Sequence, residues 1–202
     1  MANRSLELAE LVMTQHVQPQ RHLLLEFIHP GGGVSDSDAG GTVIPGHAIE
    51  SAWFMERIYS AHGRTQRVEL ARDLLRWHLE LGWDADHGGG LLLARSVTGG
   101  RPVWHQPEAK VWWPHTEALY ALLRFRELGE QPWLDEWYWR LHDYTFSHFP
   151  DRDHGDWHQY LDRDGQVATH AISKLAVKDP FHLPRALIYA ILSLRRLAAA
   201  DA

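Results

Sequence analysis

Six stretches of the chain repeat apolar residues at the three-to-four-residue spacing of an amphipathic helix. They cover about residues 4–17, 47–62, 66–81, 114–129, 132–148 and 184–200. In the third stretch the apolar stripe comprises Val68, Ala71, Leu74, Leu75, His78 and Leu79. In the last it comprises Leu187, Ile188, Ile191, Leu194 and Leu197. We predict an all-α fold in which these stripes form the core.

The connections between the predicted helices alternate in length. HGRT joins the second helix to the third and GEQP joins the fourth to the fifth, and both are typical of tight helix–helix turns. The other three connections run about from 18 to 46, 83 to 113 and 149 to 183. Since helices joined by short turns run antiparallel, the long loops are expected at one end of the molecule. Loops of this length are usually functional, so that end is expected to carry the site.

Short strand patterns occur inside the long connections. They are HLLLEFI, LLLARSV, DWHQYL and QVATHAI. The last two are separated by DRDG, which predicts a β-hairpin. We therefore expect three helical hairpins whose long loops carry short β-hairpins.

The second, fourth and sixth helices each follow a distinctive phrase: IPGHAIESAWF, KVWWPHTEAL and DPFHLPRAL. Pro184 suits the first position of the last helix, which places His182 at the mouth of that helix. The positive end of a helix dipole disfavours imidazolium, so such a histidine is expected to stay neutral near pH 7, as a general base must.

The other two phrases carry further candidates for chemistry. His47 and Glu50 lie three residues apart on one helix face, within reach of a hydrogen bond that fixes the ring tautomer. Trp113 and Glu117 lie four apart and offer a stacking surface with an acceptor for sugar hydroxyls. Trp112 shares this cluster, but a core position is at least as compatible with its pattern.

The composition limits which classes of binding partner and which cellular compartment are expected. The 202 residues carry a formal net charge of −6 and no basic run of useful length, which argues against nucleic-acid binding. The absence of cysteine excludes thiolate chemistry and fits a reducing compartment. The first residues lack the apolar core of a signal peptide, and no stretch approaches a membrane span, so a cytoplasmic location is expected. The 10 Trp and 15 His favour an aromatic site for a flat, hydroxylated ligand.

Several common site motifs are absent from the sequence. GWDADHGGGLL has no lysine and does not form a P-loop, and HPGGGVSDSDAGG does not form a dinucleotide fingerprint. GxSxG and HExxH do not occur, so neither a serine nucleophile nor a metal site is expected. Two neutral imidazoles in a carboxylate-bearing aromatic pocket instead suit proton abstraction beside a carbonyl.

Five phrases together resemble the C-terminal half of the N-acylglucosamine 2-epimerase family. They are PGHAIESAWF, GWDADHGGGL, KVWWPHTEAL, YTFSHFPDRDHGDWHQYLDRDGQV and KDPFHLPRAL, in that order along nearly the whole chain. The resemblance implies an (α/α)6 barrel of which residues 1–202 supply three of six helical hairpins, with the N-terminal half absent. It also implies a sugar 2-epimerase, or an aldose–ketose isomerase of the mannose type.

The resemblance also assigns roles to residues. It implies that His47 and His182 act as paired acid/base groups through an enediol-type intermediate of the ring-opened sugar, and that Glu50 supports the first histidine. The resemblance implies that Trp113 and Glu117 bind the sugar or hold the second histidine. The further positions implied to bind the substrate are Trp112, His115 and Arg185. His115 stands where many relatives carry glutamine.

The resemblance implies no chemical cofactor, with ATP as an allosteric effector only. The implied partners are a small-molecule sugar and either a second copy of the chain or the missing N-terminal half. Two alternatives from other classes stay open: a truncated, non-catalytic half-domain that binds carbohydrate or protein, and an (α/α)6 glycoside hydrolase that pairs Glu50 or Glu117 with Asp156.

Overall fold

A computed structural model of the chain describes residues 2–168 and 181–200. Its α-helices are α1 (Ala2–Gln15), α2 (Pro45–Ala61), α3 (Thr65–Gly82), α4 (Trp112–Glu127), α5 (Pro132–His148) and α6 (His182–Ala200). Its strands are β1 (Val17–Gln18), β2 (Leu23–Leu24), β3 (Thr42–Val43), β4 (Arg95–Ser96), β5 (Lys110–Val111) and β6 (Tyr160–Leu161). The prediction of a mainly helical fold is confirmed.

The helix bounds agree with the periodicity to within about two residues. The difference at α6 is informative, because the helix begins at His182 and not at Pro184. Pro184 can occupy the first turn since the N–H groups of that turn have no carbonyl partner within the helix. His182 is therefore the first residue of the helix.

The strands are shorter than their sequence patterns, and each spans two residues. They pair antiparallel as β1–β2, β3–β4 and β5–β6. The predicted DRDG hairpin is present: Leu161 pairs with Val167, and the N–H of Asp162 donates to the carbonyl of Gln166 at 2.8 Å. Gly165 supplies the positive φ of 80° that this turn needs. Most of QVATHAI lies outside the described residues.

The chain divides into two compact units. The first unit comprises the described residues of Met1–Gly82 and Leu93–Pro107, and the second those of Trp83–Leu92 and Glu108–Ala202. In the first unit α2 packs against α3 and α1 packs against α2. In the second, α4 packs against both α5 and α6.

A buried histidine fastens a loop to a helix in the first unit. His78 on α3 donates from Nδ1 to the carbonyl of Leu74 at 2.9 Å and accepts at Nε2 from the N–H of Leu24 at 3.1 Å. Burial lowers the pKa of His78 to about 4, so the ring is neutral near pH 7. All six residues of the predicted α3 stripe are buried, as the periodicity indicated.

His115 plays the same part in the second unit. It donates from Nδ1 to the carbonyl of Val111 at 2.7 Å and accepts at Nε2 from the N–H of Leu91 at 2.9 Å. Burial lowers the pKa of His115 to about 3. Close beside it, Gly90 has a φ of +83°, and a Cβ at that position would lie 2.6 Å from the ring of Tyr144. His115 thus ties the loop GWDADHGGGLL to α4, and glycine at position 90 lets the backbone of the loop approach Tyr144 of α5.

The same loop is held by a buried ionic cluster. Arg163 donates two hydrogen bonds to the carboxylate of Asp84, at 2.9 and 3.2 Å. Lys110 is fully buried and donates to the carbonyl of His87 at 3.0 Å, while its Nζ lies 3.9 Å from Asp84. Burial lowers the pKa of Lys110 although the charge of Asp84 opposes this. Buried charges stabilise a structure only while their partners are present, so the loop depends on Asp84, Lys110 and Arg163 together.

The prediction that the α6 stripe belongs to the core is wrong for the described residues. Ile188, Ile191 and Leu194 are exposed, and the buried positions of α6 are Leu183, Ala186 and Ser193. An amphipathic period shows that a helix has an apolar face, but it does not show that the neighbour covering that face lies in the same stretch of chain. Within residues 2–168 and 181–200, no helix is long and apolar enough to cross a bilayer.

Candidate active site

His47 stands in the first turn of α2. The turn is shaped by IPG, because Ile44 is extended and Pro45 begins the helix with φ already suited to it. The Nδ1 atom of His47 lies 3.0 and 3.1 Å from the two carboxylate oxygens of Glu26. A carboxylate accepts hydrogen bonds, so Nδ1 carries the hydrogen and Nε2 is the basic nitrogen of the neutral ring. The side chain of His47 is 42% exposed, which leaves it accessible to a ligand.

Two carboxylates raise the pKa of His47. Burial by itself would lower the pKa of this imidazole, but the hydrogen bond and the charge of Glu26, with the charge of Glu50, outweigh burial and raise the pKa. The carboxylates therefore shift the pKa of His47 in the direction opposite to the one expected from the helix terminus alone. The charge of Glu50 also raises this pKa, and the hydrogen bond that its spacing predicted stays a prediction.

Glu26 was not among the residues singled out in the sequence. It directly follows the buried segment Leu23–Leu25 and is itself only 20% exposed at the side chain. The available signal was a single acidic residue within the apolar strand pattern HLLLEFI. A carboxylate in such a place needs a partner, and the partner is 21 residues away at His47.

His182 forms the centre of the site in the second unit. Its Nδ1 donates to Oε1 of Glu117 at 2.9 Å, and Glu117 has no exposed side-chain surface. Arg185, one turn further along α6, donates from Nη2 to the same oxygen. The ring of Trp113 lies 5.3 Å from the ring of His182, centroid to centroid, at a tilt of 36°. The structure therefore brings together four of the predicted residues: His182, Glu117, Arg185 and Trp113.

Arg185 is occupied by protein groups on two sides. Besides its bond to Glu117, its guanidinium carbon lies 3.6 Å from the ring centroid of Phe181. A guanidinium beside a buried carboxylate offsets much of the cost of removing that charge from water. This geometry favours a role for Arg185 in holding Glu117, and through it His182.

Trp112 and His115 occupy the interior of the second unit. Trp112 is 3% exposed and packs edge-on against Tyr160 at 6.4 Å between centroids. His115 has no exposed surface, and backbone groups engage both of its ring nitrogens. These surroundings favour a structural role for both residues over contact with a sugar.

The two candidate acid/base histidines share one arrangement. Each lies in the first turn of its helix and donates its Nδ1 hydrogen to a carboxylate that is remote in sequence, which makes Nε2 the basic nitrogen of the neutral ring. His47 and Glu50 belong to the first unit, and the other predicted site residues belong to the second. The meeting of both histidines across a single cavity stays a prediction.

Solved structures define the class of fold. The chain is similar to a sugar epimerase from a ruminal bacterium, with a TM-score of 0.77 and 17% identity over 95% of this chain and 47% of that chain. It is also similar to cellobiose 2-epimerase from Bacillus thermoamylovorans B4167, with a TM-score of 0.72 and 19% identity over 96% of this chain and 47% of that chain. The fold is all-α and of the (α/α)6-barrel type.

Sequence comparison defines the family. The profile of N-acylglucosamine 2-epimerase (GlcNAc 2-epimerase) matches residues 1–182. The N-acylglucosamine 2-epimerase of Bos taurus is 36% identical over 175 residues, which are 86% of this chain and 41% of the relative. The chain belongs to the N-acylglucosamine 2-epimerase family. It spans about two fifths of the length of the curated relatives that it matches.

Proposed function

We propose that the protein, with its barrel completed, interconverts the C2 epimers of an N-acylated hexosamine. Family membership supports this proposal. The observation that carries it is the paired geometry of His47 on Glu26 and His182 on Glu117, since each carboxylate directs the basic Nε2 of its histidine away from itself. The family resemblance assigns both histidines to one site.

The proposed reaction needs only proton transfer. In the ring-opened sugar the C2 hydrogen lies beside the C1 carbonyl, so one imidazole removes it at Nε2 and the electron pair moves into an enolate over C2, C1 and the C1 oxygen. The other imidazolium then delivers its proton to the opposite face of C2, which inverts the configuration. The two histidines end with exchanged protonation states and re-equilibrate with solvent. No electrons leave the substrate, so the scheme requires no redox cofactor.

The remaining predicted residues divide into two groups in this proposal. Trp113 beside His182 supplies an apolar platform for the sugar, as aromatic rings do for the C–H faces of carbohydrates. Arg185 holds the carboxylate of Glu117 in place by a hydrogen bond, and Glu117 in turn orients His182. Trp112 and His115 maintain the scaffold on which these groups stand.

The effector, the partner and the cellular location of the protein are proposed from its sequence. A nucleotide such as ATP would act as an effector without entering the chemistry. Either a second copy of the chain or the N-terminal half that its relatives carry would complete the barrel, and the protein would work in the cytoplasm. The length of the chain relative to its family motivates the second of these points.

Hydrogen exchange at C2 tests the proposal directly. Incubation with N-acetylmannosamine in heavy water is expected to place deuterium at C2 and to form N-acetylglucosamine, both followed by NMR. His47→Asn and His182→Asn are expected to abolish the exchange, and His29→Asn, which changes an exposed histidine, is the matched control.

Other results would overturn the proposal or redirect it. Formation of fructose from mannose, with no reaction of the N-acyl sugars, would assign the chain to the aldose–ketose isomerases. Saccharide binding that survives both histidine substitutions, with no exchange on any aldose tested, would identify a non-catalytic binding domain.

A further inference from the structure

Glu26 has a function that follows from its place beside His47. We propose that Glu26 is a positioning residue that selects the Nδ1-protonated form of His47 and aims Nε2 at the substrate. This inference rests on the proposed epimerase function for its catalytic meaning, while the contact itself is structural. Both carboxylate oxygens lie within 3.1 Å of Nδ1, so the pair resists rotation of the imidazole about its own axis.

The segment that carries Glu26 is anchored on two sides. The N–H of Leu25 donates to the carbonyl of His16 at 2.9 Å, and Nδ1 of His16 donates back to the carbonyl of Leu25 at 2.8 Å. One residue earlier, the N–H of Leu24 donates to His78 at 3.1 Å. With Leu25 fully buried, the backbone next to Glu26 is held by His16, which directly follows α1, and by His78 in the C-terminal part of α3. A carboxylate on such a support can hold another side chain in a fixed direction.

Two carboxylates act on His47, and they do so differently. Glu26 reaches Nδ1 from the segment after β2, by a hydrogen bond and by charge. Glu50 lies on the same helix as His47 and adds a smaller charge effect. Glu26 therefore sets the tautomer, and both acidic groups stabilise the imidazolium that forms when Nε2 accepts a proton.

The chemical consequence concerns which nitrogen exchanges protons. With the hydrogen retained on Nδ1, the C2 proton of the sugar passes to Nε2 and leaves from Nε2. Loss of Glu26 would let the neutral ring place its hydrogen on either nitrogen and turn more freely. The fraction of molecules with a competent base would fall, while the contacts that bind the sugar would persist.

Nitrogen NMR tests the positioning without any need for catalysis. Protein labelled with 15N-histidine reports the tautomer and pKa of each ring, and the signal absent from His47→Asn identifies His47. Glu26→Gln removes the charge but keeps an acceptor, so the pKa of His47 should fall while Nδ1 stays protonated. Glu26→Leu removes both, so the pKa should fall and the Nε2-protonated form should become populated.

A charge-matched control separates this effect from a general change in net charge. Glu80→Gln removes one negative charge from an exposed ion pair with Arg76 in the same unit. It is expected to leave both the tautomer and the pKa of His47 unchanged. If Glu26→Leu keeps the wild-type tautomer and pKa of His47 while its circular dichroism shows an intact fold, the positioning role is overturned.

Kinetics test the catalytic meaning of the contact. Glu26→Leu should lower kcat for C2 exchange on the order of 10–100-fold, as is typical when the partner of a functional histidine is removed, with little change in KM. The limb of the pH–rate profile that reports His47 should move to lower pH, and Glu26→Asp should recover part of the rate. Wild-type kinetics in Glu26→Leu would refute a catalytic consequence. Failure of the wild-type protein with its barrel completed to exchange C2 would instead refute the proposed function, and the NMR result would still decide the positioning.

Discussion

His182 and Arg185 donate hydrogen bonds to the same carboxylate oxygen of Glu117. The carboxylate is fully buried. Its two partners, a guanidinium and an imidazole, come from one turn of α6. A buried carboxylate is tolerated because charged donors offset the loss of hydration. The orientation of His182 thus depends on Glu117, a position that the family resemblance implied to bind the sugar or to hold the second histidine.

Replacing Arg185 is expected to destabilise the protein. Arg185→Ala removes a cation from a fully buried carboxylate, for which losses on the order of 3 kcal/mol in the free energy of unfolding are usual. Urea denaturation followed by circular dichroism measures the change. In Glu117→Gln the carboxylate charge is already gone, so adding Arg185→Ala should cost much less in that background. Equal losses in both backgrounds would show that Arg185 acts through packing alone.

Stability is expected to fall as the pH falls below neutrality. The folded pKa values of His78 and His115, about 4 and about 3, lie below the ordinary value of 6.5 because both rings are buried. The unfolded chain therefore binds more protons over that interval, and the contribution of each neutral ring is complete above pH 6.5 and lost as the pH falls toward the folded values. The slope is at most about 1.4 kcal/mol per pH unit for each histidine.

Urea unfolding at pH 7, 6 and 5 measures this dependence. His78→Gln removes one of the two buried rings, so unfolding should take up about one proton fewer. The change of unfolding free energy with pH should therefore be smaller, even though the variant is less stable at pH 7. His154→Gln changes an exposed histidine and should leave the slope as it is in the wild type. Identical slopes in all three proteins would mean that His78 is not a source of the pH dependence.

Three glycine substitutions are expected to differ in a fixed order. Gly90→Ala should be the most destabilising, because its φ of +83° is unfavourable for alanine and its Cβ would lie 2.6 Å from Tyr144. Gly63→Ala has a φ of +65° in open space and should cost on the order of 1 kcal/mol. Gly100→Ala has neither problem and should be close to neutral. Thermal unfolding of the three variants would test this order, and parity of Gly90→Ala with Gly63→Ala would contradict the close approach to Tyr144.

Saccharide affinity is expected to depend on the ring at position 113. Trp113→Ala removes the aromatic platform beside His182 and should weaken sugar binding about tenfold, whereas Trp113→Phe should keep most of the affinity. Calorimetric titration of the binding-competent protein with N-acetylglucosamine gives both values. Trp139→Ala, which removes an exposed tryptophan elsewhere in the second unit, is the control. Unchanged affinity in Trp113→Ala would remove this residue from the proposed pocket.

Prediction from sequence succeeded where the signal is local. The helix bounds followed from the spacing of apolar residues, since that spacing reflects the geometry of the helix itself. The DRDG turn followed from its own residues, with glycine at the position of positive φ. Strand length was overestimated, because apolar residues in HLLLEFI also serve contacts other than a β-ladder.

Prediction was least informative where a residue's role depends on remote neighbours. Nothing next to Glu26 in the chain indicates His47, and nothing next to His115 indicates the N–H of Leu91. Spacing placed Glu50 on the face of His47 but could not show that another carboxylate accepts its Nδ1 hydrogen. Such pairs are established by folding, over separations of about twenty residues or more.

By itself the sequence determined the helices, the tight turns, the family and the identity of both candidate acid/base histidines, because short-range spacing and motifs encode these properties. Only the tertiary structure decided that Glu26 holds His47, that Arg185 shares Glu117 with His182, and that the apolar side of α6 is exposed among the described residues. The reason is physical: a helical period specifies which side chains share a face, whereas hydrogen-bond partners and burial depend on what folding brings against that face.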